Sequence, residues 1–155
     1  MATPGNGIEH ADADSRQIFD ALAHGVAGHD DTAMGLLEPI VRRSDQAMFA
    51  TICTLAEAAS FDARQQATPG EQFGIQVENV DTGGEANVNV LPPGIRFAVQ
   101  FVTAWANRDR ATAEALYQSL YGTSPEDLGV GLRAIYEMAV VSLRGLVERR
   151  GGSAA

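Results

Sequence analysis

Apolar positions recur at helical spacing from Asp14 onward. Ile18, Leu22 and Val26, flanked by Phe19 and Ala23, predict a first helix over 14–27, with Asp14 or Ser15 placed to cap its start. Gly28 and His29 mark a turn, and Asp30 is placed to cap a short second helix carrying Met34, Leu36 and Leu37. Pro39 is expected to end or kink that helix, because its ring removes one hydrogen bond and clashes with the preceding turn. A third helix is predicted from Ser44 or Asp45 to about Ala63. Phe49, Ile52, Ala56 and Ala59 form its stripe, and Glu57 and Ser60 mark its polar side. Its many alanines point to close approach between helices.

The period then changes. Over 65–93, Phe73, Ile75 and Val77 alternate with Gly74, Gln76 and Glu78, and Val88 and Val90 alternate with Asn87 and Asn89. A period of two is the strand signal, and Asp81-Thr82-Gly83-Gly84 is turn material between the runs. A β-hairpin is the expectation here, and a flexible linker is its rival.

Helical spacing returns after Pro92 and Pro93. Phe97, Phe101, Val102 and Trp105 predict a fourth helix, followed by a turn at Asn107–Asp109. Asp109 is placed to cap a fifth helix carrying Ala113, Leu116 and Leu120, which Gly122 ends. Ser124-Pro125-Glu126-Asp127 is a strong helix start: a capping serine, a proline suited to the first helical position and acids in the first turn. The long sixth helix carries Leu128, Leu132, Ile135, Ala139, Leu143 and Leu146 on one stripe and closes on Arg149–Arg150.

The second run of helices resembles the first. Gln17–Val41 can be laid on Arg96–Leu120, so that Ala27 meets Ala106, Asp30 meets Asp109 and Leu37 meets Leu116. After a one-residue slip, Met48, Ile52, Leu55 and Glu57 meet Leu128, Leu132, Ile135 and Glu137. The expected fold is therefore mainly α: about six helices in two similar three-helix halves, with a β-hairpin inserted between them. The expected layout is a frayed N-terminus at 1–13 and one helical domain over 14–150. That domain comprises halves 14–64 and 94–150 and the insertion 65–93, and a disordered tail follows at 151–155.

Composition narrows the function. A length of 155 residues with 45% apolar content suits one globular domain. Met1–Asp14 has neither a basic stretch nor an apolar one, so it does not read as a signal peptide, and a cytoplasmic location is expected. The net charge of −9 argues against nucleic acid and anionic membranes as partners. All eleven basic residues are arginines, which fits a GC-rich genome and leaves no lysine for a Schiff base or a Walker motif. Cys53 stands alone in an apolar helical stretch, where an inert buried thiol is the default.

Little of the chain resembles a catalytic motif. His24 and His29 are five apart and do not share a helix face. Asp20 and His24 do share one; with His29 or Asp31 from the turn they make a weak metal site, and with Asp30 a weak case for catalysis, while a surface Asp–His pair is the simpler reading. Gly129, Gly131 and Ala134 fit the loose dinucleotide-loop spacing, but they fall inside an apolar helical stripe, where close helix packing explains them. No catalytic residue, metal or cofactor is expected. The aromatic set of the second half, Phe97, Phe101, Trp105, Tyr117 and Tyr121, reads first as core. Its functional version is an apolar ligand pocket or partner groove between the two halves, and a ligand between helices three, four and six would have Phe101, Trp105, Tyr136 and Met138 as the candidate binding residues. The expected function is non-enzymatic: protein–protein interaction, as a homodimeric adaptor or regulator. The alternative is a small-molecule binder or sensor that holds an apolar ligand in that pocket.

Overall fold

A computed structural model of the chain describes residues 5–66 and 90–152, with six α-helices and no strand among them. They are α1 (Gly5–Val26), α2 (Asp30–Arg43), α3 (Asp45–Gln66), α4 (Pro93–Ala106), α5 (Arg110–Thr123) and α6 (Pro125–Gly152). The mainly α expectation holds. The expected hairpin at Phe73–Val90 lies outside the described residues except for Val90.

Two helices depart from the sequence reading. α1 begins at Gly5, nine residues before Asp14. Asp14 is not a cap but a mid-helix residue whose carboxylate accepts both guanidinium N–H groups of Arg43. α2 runs through Pro39 to Arg43. The carbonyl that loses its donor there belongs to Gly35, and both Gly35 and Pro39 are exposed, so water can take the orphaned acceptor.

Two turns follow one hydrogen-bond scheme. After α1, the amides of Ala27, Gly28 and His29 bond to the carbonyls of Ala23, Gly25 and His24, with Gly28 at φ +89°. After α4, the amides of Asn107, Arg108 and Asp109 bond to the carbonyls of Thr103, Trp105 and Ala104, with Arg108 at φ +61°. Both are left-handed helix endings of the Schellman type, a conformation that suits glycine and strains arginine. The next helices start differently. Asp109 caps α5 by accepting the Thr112 amide at 3.1 Å, whereas His29 precedes α2 without a side-chain cap and Asp30 is already helical. Ser44 caps α3 through the Ala47 amide at 3.0 Å.

The chain divides into two compact units, Met1–Leu55 and Ala56–Ala155. In the first, α1 packs on α2, and Ile18, Ala21, Leu22, Ala33, Leu37, Ile40, Ile52 and Leu55 are buried. In the second, α4 packs on α5 and α6, and α5 also meets α6. Phe97, Phe101, Tyr117, Leu128, Ile135 and Tyr136 form its core. The α4–α6 contact depends on two glycines. A Cβ on Gly94 would lie 2.7 Å from Val130, and one on Gly131 would lie 2.6 Å from the Phe97 ring and 3.1 Å from the Gly94 carbonyl oxygen. The glycine spacing in α6 is thus a packing device at Gly131, while Gly129 faces open space.

Candidate functional site

In the second unit a cleft of about 540 Å³ lies between α3, α4 and α6. Ala59, Ser60 and Ala63 of α3 line it, with Ile95, Val102, Thr103 and Ala106 of α4 and Ala134, Glu137, Met138 and Val141 of α6. Small side chains on facing helices leave the space. Its hydroxyls are already used by helix backbone: Ser60 donates to the Ala56 carbonyl at 2.9 Å and Thr103 to the Val99 carbonyl at 2.8 Å. Glu137 is the charged residue of the lining, and its carboxylate receives Arg133 Nε at 3.1 Å. The cleft therefore presents methyl and methylene groups to whatever enters. Among the described residues its lining is mainly apolar and sets no nucleophile beside a base.

The four residues singled out from sequence are not gathered there. Met138 lines the cleft. Phe101 and Tyr136 are fully buried in the core. Phe101 stacks on Trp105 with ring centroids 6.1 Å apart, and the Arg133 guanidinium lies 5.8 Å from the Tyr136 ring. Trp105 is half-buried and belongs to a polar cluster: its indole N–H donates to Glu57 at 2.7 Å, and Arg110 covers its ring at 5.4 Å. The alanines that shape the cleft were visible as a composition bias in α3, but they read as close packing rather than as space.

Electrostatics in the second unit centre on Glu57. Partial burial pushes its carboxyl upward, but hydrogen bonds from Trp105 and Arg64 and the charges of Arg64 and Arg108 outweigh that, leaving it below the ordinary value of 4.5. Asp109 is also held low, by the hydroxyl and amide of Thr112.

The remaining candidates are scattered. His24 Nε2 stands 3.8 Å from Asp20 Oδ1, and the His29 ring lies 6.0 Å from that of His24. Among the described residues no group of three or more His, Cys, Asp or Glu side chains is assembled to hold a metal ion. Cys53 is half-buried rather than enclosed. No helix among the described residues is long and apolar enough to cross a membrane. Compared with family models, curated proteins and solved structures, the chain matches none.

Proposed function

We propose that this chain is a non-enzymatic helical protein that acts by holding another protein, and that it does so as a homodimeric adaptor or regulator. The observation that carries this reading is α6, where Val130, Val141 and Val147 stand 47%, 67% and 58% exposed, with Val141 at the edge of the apolar cleft and Val130 beside Gly94 of α4. Exposed apolar side chains beside an apolar cleft can anchor a protein contact.

The reading includes two similar three-helix halves. Support comes from a constant register: α1 and α4 end, α2 and α5 begin, and α3 and α6 begin eighty positions apart (106 − 26, 110 − 30, 125 − 45). The register is eighty throughout, without the slip that a sequence overlay needs. At that spacing Ser44 matches Ser124, Ala33 matches Ala113, Glu57 matches Glu137 and Arg64 matches Arg144. The left-handed residues Gly28 and Arg108 also match. The halves differ where α4 meets α6. The positions of Gly94 and Gly131 are held by Asp14 and Thr51 in the first half, and these line an opening of about 360 Å³. A duplicated helical unit most often builds a surface rather than an active site.

A second reading has one observation in its favour. The cleft between α3, α4 and α6 falls within the volume range of small-molecule sites and is apolar. Native mass spectrometry of the protein isolated from its own host separates the two. A protein-bound or dimeric mass supports the first. A monomer carrying a small adduct supports the second and overturns the first, and a bare monomer overturns both.

A further inference from the structure

We infer that the exposed face of α6 bordering the cleft is where a second copy of this chain docks, with the two α6 helices antiparallel about a two-fold axis between Val140 and Val141. The inference rests on the protein-binding reading above and names its surface. At 100° per residue, Arg133, Glu137, Val141, Arg144 and Glu148 fall within an arc of about 80°. This arc reaches solvent and borders the cleft: Val141 is 67% exposed, and the side chains of Glu137 and Arg133, paired with each other at 3.1 Å, are 62% and 43% exposed, so a docked copy would extend that pair into a four-charge cluster.

The charges along this arc alternate in a way that selects an orientation. Read from the N-terminal side they run basic, acidic, basic, acidic at Arg133, Glu137, Arg144 and Glu148. Placed antiparallel about the proposed axis, Glu137 faces the partner's Arg144 and Arg133 faces the partner's Glu148. The two-fold repeats both pairs, so all four contacts join opposite charges, with the two Val141 side chains at the centre. A parallel pair in register sets every charge against its like. Self-complementarity under a two-fold axis is what an isologous dimer requires, and the antiparallel helices also oppose their dipoles. The Val141 face is continuous with the α6 side of the apolar cleft, so docking also shelters part of that lining.

Charge reversal at one position gives a test that survives individual failures. Glu137→Arg sets arginine against arginine in its own dimer, and Arg144→Glu sets glutamate against glutamate. Mixed together, each meets its complement at both symmetry-related sites. The full chain is measured by sedimentation equilibrium, with circular dichroism on each variant. Each single variant should raise the dimer dissociation constant about 100-fold, and the equimolar mixture should recover most of that loss. Val141→Asp should raise it by a similar factor and should not be rescued by mixing. A wild-type dimer that persists unchanged in all three variants overturns this surface while leaving the protein-binding reading intact. Single variants that dissociate without rescue on mixing also overturn it, because helical, soluble variants with the right charges should pair. A wild-type chain that stays monomeric at high micromolar concentration overturns both this surface and the homodimer.

Discussion

Two glycines in α6 separate the contact between helices from the helix itself. Gly129 and Gly131 both lie inside α6, two residues apart. Alanine at either position favours the helix by about 1 kcal/mol, because glycine loses more backbone freedom on folding. At Gly129 nothing lies within 4 Å of the added methyl. At Gly131 the methyl lands 2.6 Å from Phe97 Cδ1, far inside the ~3.5–4.0 Å at which carbon atoms attract. Phe97 cannot simply swing away, since it is buried and its ring sits 5.4 Å from that of Phe101. The Gly94 carbonyl at 3.1 Å is backbone and yields only if α4 moves. Overpacking of this kind costs about 1–3 kcal/mol. The propensity gain cancels between the two variants, so their difference isolates the α4–α6 contact: Gly131→Ala should be less stable than Gly129→Ala by about 1–3 kcal/mol. For a chain of this size that is a gap of roughly 2–12 °C in melting temperature, read by circular dichroism at 222 nm. Gly129→Ala should itself melt above the wild type. A Gly131→Ala protein that melts at or above Gly129→Ala would refute the close approach of α4 and α6.

Ser44→Ala removes the cap of α3 and should cost about 1 kcal/mol in chemical denaturation, whereas Ser44→Asp should retain most of it. Arg108→Gly should stabilise the chain by about 1 kcal/mol by relieving the left-handed strain; a loss in thermal unfolding would mean that the guanidinium contributes more than the strain costs. Glu57 has a lowered folded-state pKa, so its contribution is present above the ordinary value of 4.5 and lost as the pH falls through the lower folded value. Wild type should therefore out-melt Glu57→Gln at pH 7 by a small margin, since Glu57 is about half exposed, and that margin should shrink as the pH falls below 4.5 and through the lower folded value. A margin independent of pH would assign the effect to packing.

Much of the helical layout was legible because it depends on local chemistry. Asp109 at a turn, the Ser124-Pro125-Glu126-Asp127 start and the stripe of Leu128, Leu132 and Ile135 each act through their own few neighbours in sequence. The start of α1 was not legible, because Asp14 looks like a cap until Arg43, 29 positions away, takes its carboxylate. Pro39 misled for a related reason: whether a proline breaks a helix depends on whether the carbonyl it orphans can reach water. Of the four candidate residues, Met138 lines the cleft between α3, α4 and α6. Phe101 and Tyr136 are buried in the core, the first reading for the aromatic set, since a large aromatic ring fills a core as well as it lines a pocket. Empty space is harder still to read, because Ala59, Ala63, Ala106 and Ala134 mark a void by what they lack.

The chain has one tryptophan, and its indole N–H is donated to a carboxylate on another helix. That arrangement turns the contact between α3 and α4 into a colour. Excitation of indole moves electron density from the pyrrole ring toward the benzene ring. A negative charge held at the pyrrole N–H stabilises the excited state and shifts the emission to the red. Neutralising Glu57 with acid, or separating the helices, removes that charge from the N–H and moves the emission to the blue until water floods the ring. The protein thus carries its own label, at a position where a dye would have to be engineered in, and fluorescence wavelength becomes a direct readout of whether the two helices touch.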